Sequence, residues 1–132
     1  MAGENHSLLV VEDNRETQLI LKAIFRNKYK TSFAESVLDA IDQISKKYFD
    51  LILLDLNLNS GGNGRTLLLH LKEDELTKDI PVIINTAYDI KPGEEEFFQK
   101  NANGFLAKPI NKKILLQAID GLLNTPQIKS FQ

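Results

Sequence analysis

The sequence contains no cysteine, which excludes a disulfide framework, a thiolate zinc site and a cysteine nucleophile. It also lacks an excess of positive charge. The formal net charge of −2 argues against a large basic surface, so we expect no direct binding to nucleic acid. Long apolar runs are absent too, since stretches such as Leu51–Leu54 are far too short to cross a bilayer. No export signal is visible at the N-terminus, and we expect a cytoplasmic protein without membrane association.

What the sequence does contain is typical of one globular domain. Its 132 residues are 42% hydrophobic and 26% charged, which provides enough apolar material for a core and argues against disorder. No internal linker, repeat or low-complexity tract interrupts it. We expect a domain over residues 8–124, preceded by a tail at residues 1–7. Residues 125–132 are expected to form a second tail or the start of a linker.

Short apolar runs alternate along the chain with longer amphipathic stretches. Nearly continuous apolar runs are typical of strands covered on both faces, as in the middle of a parallel sheet. The segment Tyr29–Phe33 alternates instead and predicts a strand at the sheet edge. The continuous runs are Leu8–Val11, Leu51–Leu54, Val82–Ile84 and Phe105–Ala107.

The stretches between the runs have helical periodicity. Ser36 and Asn111 are placed to cap two of these helices, and Asn14 to Asn27 and Gly64 to Asp74 predict two more. Pro92 to Ala102 predicts a fifth, because proline and acidic residues suit the first turn of a helix. The residues expected to face the core are Ile20, Ala23, Ile24, Val37, Ala40, Ile41, Ile44, Leu67, Leu68, Leu71, Phe97, Phe98, Ile114, Leu115, Ala118, Ile119 and Leu122.

Five strand–helix units in strict alternation predict an α/β fold. The expected architecture is a three-layer sandwich in which five helices cover a five-stranded parallel sheet. Ligands of such sheets bind outside the carboxyl ends of the strands, so the residues that follow each apolar run are the candidates for function.

Charged and polar residues follow the predicted strands. Glu12 and Asp13 follow the first run, Asp55 the third, Thr86 the fourth and Lys108 the fifth. Three carboxylates in one place repel each other unless a cation joins them, and oxygen ligands without His or Cys favour Mg²⁺. A carboxylate nucleophile beside such an ion, with an ammonium and a hydroxyl to bind phosphate oxygens, is suited to phosphoryl transfer.

Four motifs stand at these positions, and together they extend from about Leu8 to Leu123 with the elements around them. The motifs are V-V-E-D-N (Val10–Asn14), L-L-D-L-N (Leu53–Asn57), N-T-A (Asn85–Ala87) and F-L-A-K-P (Phe105–Pro109). With these motifs the sequence resembles a response regulator receiver domain of two-component signal transduction. The resemblance implies the flavodoxin-like strand order.

The resemblance assigns a role to each acidic residue. Asp55 resembles the phosphoacceptor of the family. Glu12 and Asp13 resemble the acidic pair that holds Mg²⁺, and Asn57 resembles the residue whose backbone carbonyl completes the metal site. The implied cofactor is therefore Mg²⁺, bound by Glu12, Asp13, Asp55 and Asn57.

The resemblance also assigns the phosphate-binding and switch residues. Lys108 resembles the phosphate-binding lysine, and the peptide bond between Lys108 and Pro109 is expected to be cis. Thr86, followed by Ala87, resembles the switch hydroxyl, and Phe105 lies where the family has a switch aromatic.

The implied function is signalling by phosphorylation. A histidine kinase or a histidine phosphotransfer protein would donate a phosphoryl group to Asp55, and the domain would catalyse only its own phosphorylation and dephosphorylation. The change would then reach a downstream protein partner or a fused effector. The face of the last two helices is also the expected surface of a homodimer.

In the family, residues at the positions of Asn57 and Tyr88 tune the phosphate lifetime. The bulky Tyr88 predicts slow self-dephosphorylation.

The chain departs from the family pattern at two places. The loop Leu58–Gly64 lacks the usual Met-Pro, is one residue longer and is rich in glycine. It also lacks the Gly-x-x-x-x-Gly-Lys-Ser/Thr pattern of a nucleotide phosphate cradle. Asn85 stands before Thr86 where an apolar strand residue is usual.

Two other functions fit the fold class less well. A magnesium-dependent phosphatase or phosphotransferase with an aspartyl nucleophile carries a second Asp where this chain has Asn57, and it needs a cap or substrate pocket. A flavodoxin-like cofactor binder needs a phosphate-binding loop after the first strand, where Glu12 and Asp13 would repel phosphate.

Overall fold

The computed structural model describes residues 6–58, 63–87 and 90–124. Tyr88 and the loop residues 59–62 lie outside these ranges, as do the terminal segments 1–5 and 125–132. The predictions made for them therefore stay predictions. None of the described helices is long and apolar enough to cross a membrane.

In the described part of the chain, five parallel strands form a single sheet in the order β2-β1-β3-β4-β5. This confirms the predicted sheet and its flavodoxin-like order. The strand predicted at a sheet edge, β2, does lie at an edge, but β5, whose apolar run predicted a strand covered on both faces, lies at the other edge and is only partly buried. The strands are β1 (Ser7–Val11), β2 (Lys30–Ala34), β3 (Leu51–Leu54), β4 (Val82–Thr86) and β5 (Gly104–Ala107).

Among residues 6–58, 63–87 and 90–124, five helices cover the two faces of the sheet and complete the predicted three layers. Buried residues of α2, α3 and α4 pack in one core cluster, and those of α1 and α5 pack in the other. The helices are α1 (Arg15–Phe25), α2 (Val37–Lys46), α3 (Gly64–Glu73), α4 (Glu95–Asn101) and α5 (Lys112–Asn124).

The central strands are apolar throughout because both of their faces are covered. In β3, Ile52 and Leu54 belong to the cluster under α2, α3 and α4, while Leu51 and Leu53 belong to the cluster under α1 and α5. Side chains alternate between the faces of a strand, so a strand buried on both sides needs an apolar residue at every position.

Side-chain caps begin three helices where the sequence predicted them. The Ser36 hydroxyl accepts a hydrogen bond from the Asp39 N–H at 3.1 Å, and Asn111 Oδ1 accepts one from the Ile114 N–H at 3.0 Å. Asn14 Oδ1 accepts a bond from the Thr17 N–H at 2.8 Å. Each cap satisfies an N–H that has no partner within the first turn of its helix.

The predicted inward face of α1 was wrong at two of its three residues. Ile20 is 50% exposed and Ala23 is exposed, whereas Leu21 and Phe25 are buried. Ile24, the third predicted residue, packs against the core as expected. The apolar periodicity alone did not define the rotation of this helix about its axis.

Two further details differ from the sequence-based expectation. Ile114 was expected in the core, but it lies in the first turn of α5 and is 50% exposed. The helix predicted from Pro92 to Ala102 corresponds to α4. It starts at Glu95 and not at Pro92, because Gly93 has a φ of +95°. A residue in that region cannot continue a right-handed helix, and only glycine adopts it readily.

Gly64 allows α3 to begin directly against the end of β3. A Cβ atom on Gly64 would lie 2.6 Å from Leu56 Cα and 2.9 Å from the Asp55 carbonyl oxygen. Both are backbone atoms, which cannot rotate away as a side chain would.

We predict that Gly64→Ala destabilises the domain by about 1–3 kcal/mol, the usual cost of forcing extra volume into a packed region. Gly121→Ala is the matched control, because a Cβ there meets nothing within 4 Å. In a helix interior that change should stabilise by about 0.5–1 kcal/mol. Urea denaturation of both variants measures the difference, and equal effects would contradict the clash.

Candidate functional site

Three carboxyl groups meet at the carboxyl edge of the sheet. Strands β1 and β3 are paired in parallel with Val11 opposite Leu54, so the residues that follow them emerge side by side. Glu12, Asp13 and Asp55 each contribute a carboxylate oxygen, and these oxygens lie within 4.8 Å of one another. The convergence predicted from the strand ends is therefore present.

Asp55 lies at the centre of this group and is held by two hydrogen bonds. Its side chain is 5% exposed. Oδ1 accepts a bond from the backbone N–H of Asn57 at 3.0 Å, which fixes the orientation of the carboxyl group. Oδ2 accepts a bond from Lys108 Nζ at 3.1 Å.

Lys108 neutralises part of the negative charge. Its ammonium group also donates to Glu12 Oε1 at 2.8 Å, so one cation bridges two carboxylates. Burial lowers the pKa of Lys108, but the hydrogen bonds to Glu12 and Asp55 outweigh burial and leave this pKa above its ordinary value. The backbone N–H of Lys108 donates to the Thr86 carbonyl at 3.0 Å, and the peptide bond to Pro109 is cis, as predicted.

Glu12 is the most deeply buried of the three acids, with 2% of its surface exposed. Its Oε2 accepts a hydrogen bond from the Asn14 N–H at 3.0 Å, and its carbonyl accepts one from Gln18 Nε2 at 2.6 Å. Burial raises the pKa of Glu12, and the nearby Asp55 charge adds to this, while the bonds from Lys108 and Asn14 lower it; burial dominates.

A cavity of about 250 Å³ opens above these groups. Six of its lining residues were predicted from the sequence, and two, Asn14 and Thr17, were missed. Asn14 is the N-cap of α1 and Thr17 lies in its first turn. Asn14 stands in the first motif and Thr17 follows it, but the sequence signal of both was that of a helix start. The lining residues are Glu12, Asp13, Asn14, Thr17, Asp55, Asn57, Ala87 and Lys108.

The charges around this cavity suit a divalent cation. Lys108 offsets only one of three carboxylates, so the group keeps an excess of negative charge. Carboxylate oxygens without His or Cys nearby are the ligands that hard ions prefer. The donors present therefore fit Mg²⁺.

The model of the response regulator receiver domain family matches residues 8–120. This chain belongs to that family. The polar-differentiation response regulator DivK of Brucella ovis is 33% identical over 118 residues, which are 89% of this chain and 95% of DivK. The phosphate regulon transcriptional regulatory protein PhoB of Escherichia coli K12 is 31% identical over 117 residues, 88% of this chain. That match covers 51% of PhoB, so the chain spans about half of the length of this relative.

Solved structures share the fold of this receiver domain. A putative response regulator from Chloroflexus aurantiacus superposes with a TM-score of 0.81 at 30% identity, covering 90% of this chain and 98% of the other. The receiver domain of the sensor histidine kinase PA1611 from Pseudomonas aeruginosa superposes with a TM-score of 0.80 at 24% identity, covering 91% and 98%. The three-layer fold is thus that of known receiver domains.

The two predicted switch residues lie behind the cavity of the receiver domain. Thr86 closes β4, is 1% exposed and is not one of the residues that line the cavity. Phe105 packs against the core cluster beneath α4, with its ring 5.8 Å from that of Phe98. Ala87, the neighbour of Thr86, does reach the cavity wall. Tyr88 lies outside the described residues.

The raised pKa of Glu12 predicts an unusual dependence of stability on pH. A carboxyl group whose pKa is higher in the folded state stabilises that state most at low pH, and this contribution is lost as the pH rises through the folded-state pKa. In the presence of a chelator, the unfolding free energy of the wild type relative to Glu12→Gln should therefore fall between acidic and neutral pH.

Urea denaturation at a series of pH values measures this difference. Asp42→Asn, on the exposed surface of α2, is the control and should show no comparable decline. A difference between wild type and Glu12→Gln that grows with pH would show that hydrogen bonding to the ionised form outweighs burial.

Proposed function

We propose that Asp55 accepts a phosphoryl group in a Mg²⁺-dependent reaction and that the domain signals through the change this causes. The observation that carries the proposal is the position of Asp55. Its carboxyl group faces the cavity, is oriented by Asn57, and is paired with an ammonium group that can move to a phosphate oxygen. Membership of the receiver family supports it.

The transfer needs little covalent chemistry from the protein. Asp55 Oδ2, the oxygen that Asn57 leaves free, attacks the phosphorus of a phosphohistidine in line with the bond that breaks. The new P–O bond replaces the P–N bond, and the histidine nitrogen keeps the electron pair and takes up a proton. Lys108 then exchanges its bond to Asp55 Oδ2 for one to the phosphoryl group, keeping Glu12 as its second partner.

We assign the metal site to Glu12, Asp13, Asp55 and the backbone carbonyl of Asn57. A bound Mg²⁺ supplies neutralisation of the charge that develops on the phosphoryl oxygens. In the Pseudomonas aeruginosa receiver domain a magnesium ion is coordinated in the active-site cleft. At 24% identity that likeness concerns the fold, so the assignment here rests on the three carboxylates of this chain.

We assign Thr86, with Ala87, as the group that senses the phosphoryl oxygen, and Phe105 as the aromatic that follows. Thr86 and Phe105 face the same side of the sheet, because Phe105 is paired with Ile84, two residues before Thr86, so a movement of one can leave space for the other. Rearrangement of this pair would shift a two-state equilibrium on the surface formed by α4, β5 and α5.

The partners follow from the chemistry. The donor is a histidine kinase or a histidine phosphotransfer protein in the cytoplasm, and the reader is a downstream protein, a fused effector or a second copy of the domain. PhoB, which is about twice as long as the region matched, is a transcriptional regulatory protein. The domain acts on no substrate other than its own phosphoryl group, and we assign it no further enzymatic activity.

Acetyl phosphate provides a direct test. With Mg²⁺ present, the wild type should gain one phosphoryl group by intact-protein mass spectrometry, and Asp55→Asn should gain none. Asp79→Asn, an exposed aspartate far from the cavity, is the matched control and should behave as the wild type. Modification that persists in Asp55→Asn, or that is unaffected by a chelator, would overturn the assignment.

The lifetime of the phosphoryl group provides a second test. A bulky residue at position 88 should hinder the attacking water, so we expect the Asp55 phosphate to outlast a few seconds after the donor is removed. Tyr88→Ala should shorten the lifetime, since the smaller side chain admits water. Loss of the Asp55 phosphate from the wild type within a few seconds would contradict this prediction, but it would leave the assignment of Asp55 as the acceptor unchanged.

A further inference from the structure

A second cavity, of about 280 Å³, lies between β5 and the start of α5. Most of its wall is apolar and is formed by Leu106, Ile110, Ile114 and Leu115. Asn85, Phe105, Ala107 and Asn111 complete the lining. Asn85 and Thr86 face opposite sides of the sheet, because side chains alternate along β4.

Asn85 is the unusual feature of this cavity. It is 3% exposed, yet within the described part of the chain its side chain takes part in no hydrogen bond. Every fully enclosed side-chain nitrogen or oxygen among those residues does have a partner. The amide of Asn85 must therefore keep contact with open space, and the space that it lines is this cavity. The amide therefore has unused hydrogen-bonding capacity on the side that faces the cavity, and a ligand with one polar group can complete it there.

The size and lining of the cavity define what fits. Its volume is just below the range of about 300–1,000 Å³ that holds drug-sized ligands, so it suits a single large side chain. Apolar walls around one amide call for a ring that carries a single hydroxyl group. A phenol meets both requirements, because its ring buries apolar surface and its hydroxyl can donate to or accept from an amide.

The rim of the cavity is positively charged. Lys112 and Lys113 begin α5 and are exposed, between the lining residues Asn111 and Ile114. The amino end of a helix adds partial positive charge to theirs. Ile114 presents a half-exposed apolar surface beside them. Negative charge next to the aromatic group would be attracted here.

We propose that this cavity is a docking site for a tyrosine side chain of a protein partner, with acidic residues beside the tyrosine in that partner's sequence. The ring lies against Leu106, Ile110 and Ile114, and its hydroxyl bonds to the amide of Asn85. The acidic neighbours face Lys112 and Lys113. The cavity lies on the surface of α4, β5 and α5 assigned above to signalling, so in naming the partner this inference rests on the proposed function. Binding of the tyrosine needs no phosphorylation of Asp55, so failure of the binding experiments below would leave Asp55 as the acceptor.

The first experiment uses p-cresol, which is the tyrosine side chain alone, and toluene, which lacks the hydroxyl. Titration followed by ¹H–¹⁵N NMR should move the amide signals of Leu106, Ala107 and Ile114, with p-cresol binding at least about tenfold more tightly than toluene. A site that offers a hydrogen bond discriminates against an analogue that cannot make it. Equal binding of the two, shifts located elsewhere, or a cavity that holds water only and shows no shifts would each overturn the proposal.

Two variants separate the amide from the cavity itself. Asn85→Leu should remove the preference for p-cresol over toluene while leaving an apolar cavity. Ile114→Arg should weaken both ligands by blocking the rim. Leu38→Arg, at an exposed leucine of α2, is the matched control and should bind as the wild type. Retention of the p-cresol preference in Asn85→Leu would refute the role of the amide.

The partner chemistry is tested with short peptides. A peptide with Glu-Tyr-Glu at its centre should bind several-fold more tightly than one with Lys-Tyr-Lys, and the difference should shrink at high salt because exposed charges are screened. Lys112→Ala combined with Lys113→Ala should remove the difference. Equal binding of the two peptides would overturn the proposal, because it would show that acidic residues beside the tyrosine do not contribute to binding.

Discussion

The site depends on one interaction, the pair of hydrogen bonds from the Lys108 ammonium group to Glu12 at 2.8 Å and to Asp55 at 3.1 Å. Three carboxylates within 4.8 Å of one another repel, and burial makes each charge more costly. The ammonium group reduces that repulsion and at the same time joins the end of β5 to the ends of β1 and β3. Since β5 is an edge strand and β4 lies between it and β3, Lys108 must reach across the end of β4, where its own N–H is bonded to Thr86.

This arrangement trades stability for reactivity. One ammonium against three carboxylates leaves the site negatively charged, and a stable core would not place such groups together. The imbalance attracts a divalent cation, which structural ion pairs do not need. A site whose charges were fully neutralised would be more stable, but it would bind neither a metal ion nor a phosphoryl group.

The sequence was sufficient for the sheet and the site, but not for the rotation or the exact start of every helix. Continuous apolar runs identify covered strands, and parallel pairing brings their carboxyl ends together. The residues that follow these strands could therefore be grouped from the sequence alone, namely Glu12, Asp13, Asp55 and Lys108. In α1, by contrast, Leu19, Ile20 and Leu21 are consecutive apolar residues and leave the buried face undefined. In the structure Leu21 and Phe25 are the buried residues, and they pack with residues of β1, β3, β4 and α5 that are distant in sequence. The positive φ of Gly93, which delays α4, likewise follows from the path of the loop and not from local propensity.

The cavity between β5 and the start of α5 could not have been predicted from the sequence either, although Asn85 was visible as a departure from the family pattern. An asparagine in a buried strand has no meaning until its neighbours show whether its amide is paired. Here Asn85 and Thr86 are consecutive residues whose side chains point to opposite faces of the sheet. Asn85 lines the cavity, whereas Thr86 does not. A shift of the end of β4 moves both residues. Any ligand whose affinity for the cavity differs between the two positions of Thr86 must therefore change the phosphorylation equilibrium by the same factor with which phosphorylation changes its binding.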